Sequence, residues 1–132
     1  MTPPLKPPPV APWQHRLRSF RYAFEGWWYV LRGQPNAIIH ALFTLAVMGL
    51  AWRLRVSRLE WAVLILTVTV VWMAEFINTA IETVVDLVMP EYHPLAKIAK
   101  DVAAGAVLVG ACGAVLIGLI ILGPPLWAVL FG

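Results

Sequence analysis

The chain has 132 residues, of which 61% are hydrophobic and only 13% charged, against about 25% charged in a typical globular domain. That shortage of polar surface argues against a soluble protein and for a single-domain integral membrane protein. The net charge of +3 is mostly local, which fits membrane topology rather than nucleic-acid binding, and the single Cys112 excludes an intrachain disulfide or a cysteine metal cluster.

Six prolines fall within residues 1–12. This segment reads as a disordered or extended tail, because proline lacks a backbone donor and interrupts helices. The first 36 residues carry charges and prolines and no short apolar core ending in a small-residue cleavage site, so no cleavable signal is expected. From Trp13 to about Arg32 the pattern turns helical. Trp13, Leu17, Phe20, Phe24, Trp27 and Leu31 recur at spacings of three and four, flanked by Arg18, Arg21, Glu25 and Arg32. An aromatic stripe beside arginines suits a helix lying in the membrane interface, and the same stripe could also pack on other helices.

Pro35 punctuates the chain, and residues 36–52 form a nearly uninterrupted apolar run with His40 its only titratable group. At about 1.5 Å per residue this run barely spans a bilayer. A short turn, Arg53 to Arg58, leads to a second span over residues 59–89 that Pro90 ends. A polar loop over residues 91–97 precedes the third span, residues 99–122, which closes at Gly123-Pro124-Pro125. Residues 126–132 form an apolar tail too short to cross again. The expected fold is therefore all-α: one interfacial helix and three transmembrane helices within a domain of residues 13–125. Seven Lys/Arg on the N-terminal side and the 87–101 loop, against three at positions 53, 55 and 58, place the N-terminus in the cytoplasm.

The second span carries the chemistry. Glu75, Asn78, Glu82 and Asp86 stand at i, i+3, i+7 and i+11, on one face of a helix. A charge at the bilayer centre costs roughly 2.5–3.5 kcal/mol on insertion scales, so a stripe of three carboxylates points to function. Interhelical ion pairing or a wet cytoplasmic end is the bland alternative, and it suits Asp86 best, one turn before Pro90. Lys100-Asp101 lies at the same membrane level as Asp86, and Arg18, Arg21 and Tyr22 lie at about that depth. Carboxylates hold Mg²⁺ and cationic side chains accept phosphate, which together suggest phosphoryl transfer near the headgroups with a carboxylate as base. Gly105 to Gly110 begins like a P-loop but lacks the Lys and Ser/Thr, and it lies within a span. Ala106, Gly110, Ala114 and Gly118 form a small-residue ridge suited to close helix packing. His40 and His93 read as hydrogen-bonded structural residues rather than metal ligands.

These residues resemble a known family. Ala74 to Asp86, with its Glu-x-x-Asn-Thr-Ala-x-Glu stretch, is similar to the signature of the small bacterial membrane lipid kinases, the prokaryotic diacylglycerol kinases and undecaprenol kinases. Ser19 to Gly26 resembles their N-terminal helix, Glu91-Tyr92-His93 their cytoplasmic loop, and Ala99-Lys100-Asp101 the start of their third span. The resemblance covers about residues 15–122. It implies an ATP- and Mg²⁺-dependent kinase for a membrane lipid alcohol, in the bacterial inner membrane, built as a homotrimer with sites shared between subunits. It implies that Glu75 is the catalytic base, with Asn78 beside it, and that Glu82 binds metal. Tyr22, Gln34, Glu82, Glu91, Tyr92, His93, Lys100 and Asp101 match positions at the nucleotide. Two departures stand out: Gln34 occupies the place of a second metal-binding glutamate, and His15 that of a basic nucleotide contact. Val102 to Ala106 looks more like the undecaprenol kinase branch. A proton-coupled transporter using the same glutamates is the rival reading. Three spans and a cytoplasmic Lys-Asp pair suit it poorly. An oligomeric scaffold would leave the acid stripe unexplained.

Overall fold

The computed structural model describes residues 12–132. The proline-rich tail and the side chain of His15 lie outside that description. The described residues form four helices: α1 (Pro12–Gly33), α2 (Pro35–Leu54), α3 (Arg58–Val88) and α4 (Pro94–Phe131). Three of them, α2, α3 and α4, are long and apolar enough to cross a membrane.

Each boundary has a local cause. Gln34 is extended at the α1–α2 junction and Pro35 occupies the first turn of α2, where a missing N–H costs nothing. Arg55 closes α2 in the left-handed region at φ 53°, its N–H turned back to the carbonyls of Ala51 and Trp52. Two residues later Ser57 caps α3. Its hydroxyl accepts from the Glu60 N–H, and its own N–H donates to Glu60 Oε2 at 2.6 Å. This reciprocal box satisfies two end donors at once. Pro90 stops α3 by disfavouring helical backbone in the residue before it.

The C-terminal helix departs from the sequence expectation at both ends. It starts at Pro94, inside the segment read as a polar loop, because His93 caps it through Nδ1, which accepts from the Leu95 N–H at 3.2 Å. It also continues through Pro124 and Pro125 to Phe131, where the sequence reading placed a stop and a separate tail. Each proline removes one intrahelical bond. Leaving the helix in apolar surroundings would free far more backbone groups, each costing several kcal/mol, so the helix persists.

The α2 and α3 helices run antiparallel in a constant register. Ala51 packs with Leu64 at one end, Thr44 meets Trp72 in the middle, His40 faces Glu75 above it, and Gln34 reaches Glu82 at the other end. Small residues permit this approach: Ala37 and Ala51 are completely buried. Two apolar clusters bracket the polar section, Val30–Ala37–Trp72 and Ala51–Leu64–Leu122. The first ties in α1, whose Trp27 stacks against Trp72 and Phe76 with ring centroids 4.8 Å apart in both cases. The rest of the aromatic stripe behaves differently, for Trp13, Phe20 and Phe24 are exposed in the single chain. On α4, Ala103 and Val107 are buried. Gly110 lies near Val71, while Ala114 and Gly118 of the small-residue ridge border an open apolar cavity.

Hydroxyls within the apolar layer are satisfied locally. Thr67, Thr69, Thr79 and Thr83 each donate to the carbonyl four residues back. Thr44 is the exception, since its Oγ1 accepts from Trp72 Nε1 at 3.1 Å and so links α2 to α3. Interhelical bonds of this kind average about 0.6 kcal/mol in membrane proteins, with a maximum near 1.7 kcal/mol. Thr44→Val should therefore lower unfolding stability in mixed detergent by about 0.6 kcal/mol and by no more than about 1.7 kcal/mol. A larger loss would mean that the α2–α3 register itself had slipped.

Candidate active site

The polar stripe on α3 splits into two parts with different surroundings. The deeper part is Glu75, which is 1% exposed. Its Oε2 is enclosed and accepts no hydrogen bond, and the Nε2 of His40 on α2 stands 3.8 Å away. Its backbone carbonyl accepts from Thr79.

Two turns further along α3, Glu82 is the centre of an amide cluster. One carboxylate oxygen accepts from Gln34 Nε2 at 3.2 Å and the other from Asn78 Nδ2 at 3.1 Å. Asn78 bridges the two parts, sitting between Glu75 and Glu82 on the same face. Its Oδ1 is buried without a partner, a costly arrangement for a carbonyl oxygen.

That orphaned oxygen bears on whether the cluster can hold a metal. Among the described residues no group of three or more His, Cys, Asp or Glu is assembled. A hard cation such as Mg²⁺ instead takes one or two carboxylates and fills its remaining positions with waters and substrate phosphates. The Glu82 carboxylate, the unpartnered Asn78 Oδ1 and the amide oxygen of Gln34 make a donor set of that kind. Gln34 now donates to Glu82, so it would have to turn its amide to present oxygen. The residues fit a site that a nucleotide would complete.

The third acid, Asp86, lies at the end of α3 and pairs with Lys100 of α4 through both oxygens, at 2.9 and 3.1 Å. Both side chains are partly exposed, where such pairs are worth about 0–1 kcal/mol. The contact is thus readily exchanged for another anion. One turn earlier on α4, Lys97 pairs with Asp101. His93 has its Nδ1 committed to the helix cap. Tyr22, Glu91 and Tyr92 are exposed, and no hydrogen bond or ion pair joins them to Glu75 or Glu82. On α1, Arg21 is held by Glu25 at 2.7 Å, and this hydrogen bond raises the guanidinium above its ordinary value.

The structure therefore brings together Gln34, Asn78 and Glu82, sets Glu75 beside them, and separately joins Asp86 to Lys100. It does not connect Tyr22, Glu91, Tyr92, His93 or Asp101 to the carboxylates within one chain. Sequence reasoning missed the place of His40 against Glu75. The available signal was Asn36, His40 and Thr44 at i, i+4 and i+8, polar positions on one face of an otherwise apolar run.

Comparison with known proteins bears on this arrangement. A family described as prokaryotic diacylglycerol kinase matches residues 21–122. The chain is 48% identical over 118 residues to a diacylglycerol kinase of Synechocystis, covering 89% of this chain and 66% of that protein, just under two thirds of its length. It is 41% identical over 110 residues to an undecaprenol kinase of Bacillus subtilis, covering 83% and 89% of the two chains. With a diacylglycerol kinase of Escherichia coli it shares 41% identity over 78 residues, 59% of this chain and 63% of that one.

Proposed function

The chain belongs to the prokaryotic diacylglycerol kinase family, and from that premise we propose that it transfers the γ-phosphoryl group of ATP to the hydroxyl of a membrane lipid, diacylglycerol or undecaprenol, giving the lipid phosphate and ADP. The reaction takes place at the cytoplasmic face of the bacterial inner membrane, with the N-terminus on that side. The observation that carries the reading is the placement of a buried, unbonded carboxylate, Glu75, next to an oxygen-rich cluster at Gln34, Asn78 and Glu82.

Phosphoryl transfer asks little covalent chemistry of a protein. It needs a positioned hydroxyl, a base for its proton and charge stabilisation along the phosphates. Glu75 is the base. The lipid oxygen bonds to the γ-phosphorus, the bond to the β-bridging oxygen breaks, ADP leaves, and the hydroxyl proton ends on the Glu75 carboxylate. Asn78 donates to Glu82 and holds it beside Glu75. Glu82, with Gln34 and Asn78, would hold Mg²⁺, which would neutralise phosphate charge when bound. Lys100 exchanges Asp86 for nucleotide phosphate, while Tyr22, Glu91, Tyr92, His93 and Asp101 surround the nucleotide. Depth separates the roles, with Glu75 deeper in the apolar layer where the lipid hydroxyl arrives and Lys100 near the aqueous end where ATP arrives.

These nucleotide residues do not meet the carboxylates in a single chain, which supports a homotrimer in which neighbouring subunits complete each site. The exposed aromatic face of α1 and the uncovered Ala114–Gly118 ridge of α4 supply surface for such contacts.

The decisive assay is transfer of labelled phosphate from ATP to diacylglycerol and to undecaprenol in bilayers, with each product identified by mass. Glu75→Gln should leave expression and assembly intact and lower turnover by at least ~10²-fold, the scale of general-base loss; near-normal turnover in a folded variant would remove Glu75 from that role.

The metal reading is checked by titrating Mg²⁺ at fixed ATP. Gln34→Glu should tighten the dependence by adding a second charge, and Glu82→Gln should weaken it far more than Gln34→Ala. Equal damage from the last two would make the amide an essential ligand.

Native mass spectrometry from mild detergent should show three chains, and a stable, active monomer would sink the shared-site arrangement.

A further inference from the structure

His40 is a partly buried titratable group that the proposed reaction does not use. Its side chain is 15% exposed and its Nε2 faces the enclosed Oε2 of Glu75 at 3.8 Å. No side chain among the described residues donates a hydrogen bond to either oxygen of that carboxylate. The nearest polar neighbour of His40 on α2, Thr44, is already committed to Trp72. His40 also borders a cavity of about 400 Å³ between α2, α3 and α4 whose walls are otherwise almost entirely apolar. Nothing in that cavity competes for Oε2. The imidazole is held in place by the α2–α3 register, with the Thr44–Trp72 bond one turn away and the edge of Trp72 packed against the ring at 6.4 Å between centroids.

A carboxylate buried without a donor is expensive, and its two oxygens are then free to rotate. A base works only when the oxygen that takes the proton is aimed at the hydroxyl that loses it. We propose that His40 is a positioning residue for Glu75: its Nε2–H holds Oε2, so that Oε1 is the oxygen presented to the lipid hydroxyl. This rests on the kinase reading above. The role requires the 3.8 Å gap to close to hydrogen-bond length when the site is engaged, in keeping with the loose geometry of catalytic pairs before substrate binds. The proton taken from the lipid goes to Glu75, and His40 keeps its own. The charged or titratable groups acting on Glu75 are then His40 from α2 and Glu82 from its own helix.

Two measurements test this in the full-length protein in bilayers. The first is kinetic. His40→Phe, which preserves ring volume beside the cavity, should lower kcat by ~10- to 100-fold, the scale of a misaligned reacting group, with KM for ATP unchanged. His40→Gln, whose amide can still donate, should recover most of kcat. A merely structural histidine would lose stability with both variants and would show no such split. Equal turnover in wild type and His40→Phe, or no recovery by His40→Gln in a folded variant, overturns the role.

The second is independent of turnover. In histidine-¹⁵N-labelled protein, the resonance assigned to His40 by its loss in His40→Gln should report Nε2 as a donor and should shift in Glu75→Leu. An unmoved resonance overturns the contact itself. If the wild-type protein phosphorylates neither lipid alcohol, the kinase reading fails and the positioning role falls with it, whereas the resonance still decides whether the two side chains are bonded.

Discussion

A carboxylate placed in an apolar layer must find donors on another helix, and the rest of this fold is arranged around that requirement. Glu82 finds one across the helix pair, the amide of Gln34, and a second on its own helix, the amide of Asn78, while Glu75 is faced by His40. Because His40 lies on α2 and Gln34 is the residue that caps its start, meeting the needs of α3 also sets the rotation and register of α2 against it. An apolar helix in lipid has little else to choose one face over another, since lipid tails and leucine side chains are equally good neighbours. The polar contacts, with Thr44–Trp72 between the two apolar clusters, supply that choice.

The same arrangement grades the site by depth. Near the chain turn at residues 89–93 the charges are exposed, paired loosely, and open to exchange. Two turns inward, Glu82 is only partly buried and its oxygens are occupied by neutral amides, which a cation can rearrange at modest cost. One further step inward, Glu75 is fully enclosed. In the proposed reaction a water-soluble phosphate donor and a lipid acceptor would approach from opposite ends of such a gradient. The proposed proton abstraction by Glu75 would gain from the inner position, where electrostatic effects are larger than in water.

Gln34 shows how a neutral amide can satisfy a carboxylate across the helix pair. Two glutamates facing each other across α2 and α3 would repel unless a cation lay between them. With glutamine in one position the pair is self-satisfying, since an N–H meets a carboxylate directly. The cluster is thus satisfied as an uncharged-to-charged contact, and the unpartnered Asn78 Oδ1 is the acceptor left free in it.

Much of this was legible in the linear chain because helical periodicity and apolar run length are local properties. The stripe of Glu75, Asn78, Glu82 and Asp86, the helix breaks near Pro35 and Pro90, and the resemblance across residues 15–122 all follow from residues close together in sequence. Two boundaries did not follow. The His93 cap on α4 depends on a side-chain orientation that composition does not reveal, and the passage of α4 through Pro124 and Pro125 depends on the cost of freeing backbone groups in an apolar environment. Above all, the partner of each polar group is a nonlocal fact. The chain alone determined that α3 carries acids on one face and that α2 carries His40 and Thr44 on one face. Only the tertiary structure decided that these faces meet, with His40 against Glu75 and Gln34 against Glu82. A one-residue change in rotation about α2 would turn each side chain by 100° and present a different set, so helix pairing is settled by packing across the interface and not by the pattern along either strand of sequence.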